Sequence, residues 1–338
     1  MKRLHTLFLF LALGLCASLQ AQEAWRDTVT NMVERVDQRL YKRQHRVSID
    51  TNYIQVPEYR WTLKSTANVG WNSFGVGQIR QRRAGLLLLG STPSFSQGFS
   101  VSWRNITIGM AISPFQLWSK TRTPDQSYSI SLYGNRMGMS AAVRYSETLQ
   151  GVAAAFPDSV LAWIPIGSCR DLSADFDAWY ALNGKEFSFP AAFSQSQIQT
   201  RSAGSPLFSI AIRNGVTYLD SIEKLGNQPI TLWTNMLSLG AGYGHNFVTR
   251  HHWLIHFSTV TNLTVLKYNR VDMEELKSIQ RGTFPDFVGT LQLSALHWTG
   301  RFFYGFNGTL RGALYGRIDK GLYNNNRGDL QFLFGIRL

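Results

Sequence analysis

From residue 60 onward, apolar side chains recur at every second position over long stretches. Trp61, Leu63, Ala67, Val69 and Trp71 alternate with Arg60, Thr62, Lys64, Thr66 and Asn68. Phe99, Val101 and Trp103 alternate with Ser100, Ser102 and Arg104, and past a tight Arg104-Asn105 connection Ile106, Ile108, Met110 and Ile112 carry the pattern on. Tyr128, Ile130 and Leu132 are separated by serines; a Gly134-Asn135 turn, whose residues accept positive φ, then leads into Met137, Met139, Ala141, Val143 and Tyr145. Further segments fall at residues 83–91, 206–219, 232–248, 252–267, 288–298 and 301–317. In the last of these Phe302, Tyr304, Phe306, Leu310 and Leu314 share one face, and Arg301, Asn307, Thr309, Arg311 and Arg317 share the other. Residues 328–338 close the pattern: Leu330, Phe332, Phe334, Ile336 and Leu338 alternate with Asp329, Gln331, Leu333, Gly335 and Arg337. A period of two is the mark of a strand with one apolar face.

Length separates the two kinds of protein that alternate in this way. Soluble strands average about 5–6 residues, whereas a tilted membrane strand needs about 9–11. Most segments here suit the second class. A terminal apolar strand with a free edge would be sticky in water, and closure onto the first strand of a barrel removes that edge. Trp61, Trp71, Trp233, Trp253 and Trp298 lie near strand ends, where interfacial aromatic girdles occur. The fold class is therefore all-β: a transmembrane antiparallel β-barrel of about twelve strands, range ten to fourteen. Its lumen face is expected to carry Arg144, His252, His256, Arg301 and Arg311. One difficulty remains in the count. Placing both termini on one side puts the long inserted connection 148–203 there too and the Gly134-Asn135 turn outside, the reverse of the usual arrangement. Either one segment is miscounted or the insertion sits inside the barrel.

The period is different before residue 60. Lys2 and Arg3, the apolar run 7–15 and the small and polar residues 16–22 form the three parts of a secretory signal peptide, with cleavage expected after Ala21. Cys16 follows Leu15, where lipoprotein processing wants a small side chain, so ordinary removal is expected. Trp25, Val29, Met32, Val33, Val36 and Leu40 then recur at helical spacing, which predicts a short amphipathic helix of about four turns. A basic, polar joint, 42–46, follows it. The domains are thus a signal at 1–21, a periplasmic helix and joint at 22–49, and the barrel at 50–338.

Composition narrows the picture. Without the signal only Cys169 remains, so no internal disulfide is available to an exported chain. No later segment supplies the ~20 consecutive apolar residues of a membrane helix. The net charge of +13 becomes +11 once Lys2 and Arg3 are subtracted. The basic residues are scattered through alternating segments and form no nucleic-acid motif, so a barrel lumen and anionic outer-leaflet lipid, including lipopolysaccharide, are their expected surroundings. The barrel-insertion machinery is the other expected partner, and no cofactor is expected.

The segment 185–205, KEFSFPAAFSQSQIQTRSAGS, resembles the signature of an uncharacterised family of Bacteroidota envelope proteins known as domain of unknown function 4421. The resemblance extends to residues 50–54 (DTNYI), 132–135 (LYGN), 240–244 (GAGYG), 252–256 (HWLIH) and 334–337 (FGIR). It implies an outer-membrane β-barrel and no particular activity. Within the signature Phe187, Ser188, Pro190, Ala191, Ala192, Phe193, Gln199, Ser202, Gly204 and Ser205 stand out. Proline, small residues and aromatics together read as a compact, tightly packed turn that anchors the next strand, with a plug in the lumen as the alternative.

Two constellations carry candidate chemistry. His256 and Ser258 share a face at period two, with Asn262 on the same face, as in the His-x-Ser pairs of outer-membrane lipid hydrolases. Trp253, Ile255 and Phe257 hold the lipid face, however, which turns the pair inward and away from an acyl ester. The second constellation is His245, His251, His252 and His256, in which His252 and His256 would stand about 13 Å apart on a strand, too far for one ion. No metal site follows, and Asp171, Asp175 and Asp177 read as a solvated, helical face. The expected function is a non-enzymatic envelope barrel, with a passive small-solute channel and a lipid-directed hydrolase as alternatives.

Overall fold

The computed structural model describes residues 22–46, 49–80, 83–114, 124–156, 160–221, 228–273, 276–281, 286–317 and 321–338. The signal segment 1–21 lies outside the described residues. The chain divides into two units, Met1–Val47 and Ser48–Leu338. In the first, helix α1 runs over Gln22–Arg46. It is longer than the apolar spacing predicts, because the basic run at 42–46 continues the helix: Lys, Arg and Gln are good helix formers and no Gly or Pro interrupts them.

The second unit is a closed antiparallel barrel of twelve strands. Its wall is built from β2 (Trp61–Arg80), β4 (Ser94–Trp103), β5 (Ile106–Ile112), β6 (Asp125–Tyr133), β7 (Met137–Ser146), β10 (Cys169–Ala181), β12 (Ala203–Leu219), β13 (Ile230–Val248), β14 (Trp253–Met273), β16 (Phe287–Thr299), β17 (Phe302–Arg317) and β18 (Gly321–Arg337). The remaining strands are β1 (Ile54–Gln55), β3 (Arg83–Ser91), β8 (Leu149–Phe156), β9 (Val160–Ile164), β11 (Ile198–Gln199) and β15 (Leu276–Arg281). The ring closes where β18 pairs with β2, from Leu322 opposite Gly77 to Arg337 opposite Thr62. The main chain of Leu338 adds to this seam by accepting from Arg60 and Trp61 and donating to Trp61.

The strand number agrees with the count from periodicity, but its membership does not. Residues 169–181, expected as part of a connection, form wall strand β10, whose Asp171, Asp175 and Asp177 take strand positions instead of a helical face. Residues 83–91, counted as a wall strand, form β3, which pairs with the upper part of β2 and with β8. Two errors of opposite sign cancelled. The correction also removes the parity difficulty: the Arg104-Asn105 and Gly134-Asn135 turns now lie at the same end as Leu338. The stretch 148–203 is accordingly three things: the β8–β9 hairpin at the far end, β10 through the wall, and a segment at 182–202 that returns at the near end.

Outward positions are apolar almost throughout. Phe99, Ile108, Ile130, Phe208, Leu239, Phe257, Phe306 and Phe332 are all exposed, while their neighbours on each strand face the interior. A face of this kind is stable only against hydrocarbon. One register shift opposite Leu237/Ser238 leaves Val265 and Leu266 both outward, and brings Thr264 and Lys267 inward. Trp298 departs from its predicted girdle position and packs on the inner cluster of Ala191, Ala192, Leu254, Leu296, Phe303 and Leu333.

Candidate functional site

The lumen is occupied at three levels. At the near end, 182–202 folds into a plug. Ser188 caps a one-turn helix, α2 (Phe189–Phe193), its hydroxyl accepting from the Ala191 amide at 3.1 Å with Pro190 in the first turn. Strand β11 pairs with β1, setting Ile54 opposite Gln199. The Gln199 side-chain oxygen accepts from the Ser188 amide at 3.0 Å and from Asn246 Nδ2 at 2.9 Å. The wall holds the plug from several sides. Lys64 Nζ donates to Phe193 O at 2.8 Å, Arg337 Nε to Gln195 O at 2.9 Å, Ser294 Oγ to Ala192 O at 3.3 Å, and Gln197 Nε2 to Asn135 Oδ1. Lys64, Arg337, Ser294 and Asn135 come from β2, β18, β16 and the β6–β7 turn, so the plug spans the ring. The signature is therefore lumen filling, not just an anchor for β12. Its later residues do anchor: Ser205 Oγ accepts from the Asn183 amide, Gly204 O from Asn183 Nδ2, and Ser202 Oγ from the Val248 amide.

In the middle of the barrel, charges reach across the lumen. Arg213 on β12 pairs with Asp175 at 3.6 Å and with Asp177, both on neighbouring β10. Arg311 on β17 reaches the same two carboxylates at 3.3 Å each, and Arg327 on β18 reaches Asp175 at 3.8 Å and Asp329 at 3.3 Å. Strands β17 and β18 stand opposite β10 and β12 in the ring, so these contacts form a bar across the interior. Beside it Arg144 makes a bidentate pair with Asp125, both bonds 2.8 Å.

At the far end the closure is apolar. Phe74, Leu89, Leu149, Ala153, Ile164, Cys169, Leu219, Leu232, Met236 and Tyr323 form one buried cluster. It joins β2 and β18 to β12 and β13 across the lumen, with β3, β8 and β9 supplying Leu89, Leu149, Ala153 and Ile164.

The predicted His-x-Ser pair is inward, as the face argument requires. His256 Nε2 lies 3.0 Å from Ser258 Oγ, and Nδ1 lies 2.7 Å from the side-chain oxygen of Asn246. The third member is thus Asn246 and not Asn262, which bonds instead to Ser209 and to Val288 O. Asn246 spends both amide protons on Ser188 O and Gln199, which fixes its oxygen toward His256 and places the ring proton on Nδ1. Nε2 is then an acceptor for the Ser258 hydroxyl, a proton that Gln292 Oε1 also attracts at 3.3 Å. The tautomer suits a general base, but access does not. His256, Ser258 and Asn246 are 0%, 1% and 0% exposed, and Phe187, Phe189 and Phe193 ring His256 at centroid distances of 6.0, 5.6 and 5.0 Å.

Of the other residues expected on the lumen face, Arg144 and Arg311 are there, in the ion pairs above. His252 and Arg301 are not. His252 is an exposed turn residue at φ 59° with its ring edge-on to Trp298, and Arg301 is an exposed turn residue over the ring of Tyr59 at 5.6 Å. The histidine cluster disperses likewise: His245 faces outward beside Phe247, and His251 is exposed. Sequence reasoning missed Asp125, Asp175, Asp177, Asn246 and Gln197. Asp175 and Asp177 carried a usable signal, since their spacing of two puts both on one strand face.

Between plug and bar lies a chamber of ≈ 270 Å³, with a second lobe of ≈ 200 Å³ that shares Ser129, Ser131, Tyr133, Phe193, Asn307 and Gln331 with it. Above the bar a smaller void of ≈ 90 Å³ lies under the apolar cap, and Arg311 borders both sides.

Fold and filled lumen together define a closed outer-membrane-type β-barrel. The chain belongs to the family described as Domain of unknown function (DUF4421), whose model matches residues 48–337. No curated protein matches it. Solved structures with similar architecture include the outer membrane protease OmpT of Escherichia coli, at 7% identity and TM-score 0.43, covering 83% of this chain and 97% of that one. An outer membrane channel of Pseudomonas putida F1 is similar at 8% identity and TM-score 0.34, covering 85% and 99%. The Pseudomonas putida toluene transporter TodX follows at 8% and 0.28, covering 83% and 91%. These likenesses concern architecture alone.

Proposed function

We propose that the chain is a non-enzymatic envelope protein of the outer membrane whose lumen is closed at rest, so that it does not act as a passive porin-like channel. In this reading the chain is exported through a cleaved signal peptide, delivered by the barrel-insertion machinery, and surrounded by outer-membrane lipid and lipopolysaccharide. The observation that carries it is the bar of Arg213, Arg311 and Arg327 on Asp175 and Asp177, backed by the plug beneath. An ion crossing the barrel would have to break charge pairs in a confined space and then displace a segment bonded to wall strands on several sides. The test is conductance of the purified barrel in a planar bilayer. Baseline current is expected for the parent protein, with discrete openings after deletion of residues 187–202. Steady openings in the parent would return the porin-like reading.

A lipid-directed hydrolase is the second reading, favoured by the hydrogen-bonded chain Asn246–His256–Ser258. A nucleophile needs its substrate within about 3–3.5 Å, and three phenylalanines of the plug occupy that space. Purified protein is expected to release no fatty acid from phospholipid or lipid A. Release that disappears in Ser258→Ala would reinstate the enzyme.

A further inference from the structure

The chamber between plug and bar has a composition that selects a ligand class. Its upper edge carries Asp177, Asp329 and Arg311, and its second lobe is bordered by Lys64. Arg311 is paired with Asp177 and Arg327 with Asp329, so the charges bordering the main lobe are matched, while Lys64 in the second lobe is held by the neutral Phe193 carbonyl. The side walls are hydroxyls and amides: Ser129, Ser131, Thr309, Gln292, Asn307 and Gln331. The floor is aromatic. Trp179 packs on Tyr133 and Phe189 at centroid distances of 5.5 and 5.3 Å, and Phe193 stacks on Tyr133 at 6.3 Å. An apolar guest would strand the hydroxyl and amide walls, and a charged one would have to displace existing pairs.

A molecule with a ring of hydroxyls and an apolar C–H face meets both surfaces at once. The volume of ≈ 270 Å³ is close to the ~300 Å³ at which small-molecule sites begin. We propose that this chamber binds a small neutral polyhydroxylated solute of monosaccharide size, held by the Ser, Asn and Gln walls against the Trp179–Phe193 floor. The proposal deepens the closed-lumen reading and rests on it, since a sealed bar and plug make the chamber a compartment instead of a passage.

The test uses the full barrel. It is refolded from urea across a range of concentrations of radiolabelled D-glucose or myo-inositol, so that entry through the closures is not needed, and probe retained by the folded barrel is counted after desalting. D-gluconate and D-glucosamine serve as anionic and cationic counterparts. Saturable binding of one neutral probe per barrel is expected, at least tenfold tighter than either charged counterpart and weakened at least tenfold by Asn307→Leu. Gln331→Leu is a second variant in case the first fails to fold, and the shifted electrophoretic mobility of folded barrels identifies the preparations to be counted. No saturable neutral binding in folded parent barrels overturns the proposal. So does equal binding by the charged probes, or binding unchanged in both variants. Bilayer conductance of the same batch is read independently: an open pore refutes the closed lumen whatever the retained-probe count gives, and absent binding in a non-conducting barrel refutes only the ligand.

Discussion

The two ends of the lumen are closed in different ways. At the end that holds Leu338 the closure is one contiguous segment, 182–202, fastened by hydrogen bonds from Lys64, Asn246, Ser294 and Arg337. At the far end it is an aliphatic and aromatic cluster gathered from many strands, including Phe74, Leu149, Ile164, Leu219 and Tyr323. Polar fastening is directional and fixes one position of a plug whose Phe187, Phe189, Ala191 and Ala192 also pack into apolar clusters with wall side chains. Apolar packing is non-directional, and it suits a cap whose strands arrive from separate parts of the chain. The first closure adds specific partners to its packing, whereas the second rests on filled volume.

Substitutions that separate these two mechanisms test the comparison. The largest effect is expected from Ile164→Asp, which buries an unpaired charge at a fully enclosed position. A loss of about 4 kcal/mol or more, or failure to reach the folded mobility, should appear in urea titrations read by gel shift. A loss under about 1 kcal/mol would mean that the cap is not a packed core. Leu149→Ala should cost about 3 kcal/mol by leaving a cavity, with stability recovering when a methionine occupies the site. Asn246→Ala removes bonds to Ser188 O, Gln199 and His256 together, and about 2 kcal/mol is expected. Here a shape-preserving leucine should not rescue, which is the outcome that distinguishes fastening from filling. The smallest effect sharpens the comparison most: Leu149→Ala and Asn246→Ala combined should add within about 0.5 kcal/mol, since the sites share no partners. A larger coupling would show that the ends communicate through the ion-pair bar.

What was legible in the sequence follows the same division. The wall was readable because lipid enforces a period of two on every strand, and the plug was visible as a run of Pro, Ala, Ser and Phe with a distinct composition. Strand β10 was not readable. Its lumen face, Asp171, Ser173, Asp175 and Asp177, is as polar as a loop, and its outward Leu172, Phe176 and Tyr180 were too sparse to announce a strand. The apolar cap was also hidden, since each strand donates only one or two residues and no local pattern marks an inward leucine as different from an outward one. His256 and Ser258 were placed on the correct face, but their partner Asn246 sits on the adjacent strand, where only register reveals it. Arg301 and His252 were misassigned because parity continues on paper through a turn that, in three dimensions, has already left the strand.

The seam between β18 and β2 sets a condition on assembly. Thr62 pairs with Arg337, so the ring cannot shut until nearly the whole chain is available. Before that, two strand edges stand open, and each unpaired amide facing hydrocarbon costs several kcal/mol. Joining residues so far apart also carries the greatest loop-closure entropy the chain can present, which slows folding. Closure of this one seam is therefore the event that commits the protein to the membrane, and partners or conditions that delay it will act on the yield of folded barrel before they act on anything the finished molecule does.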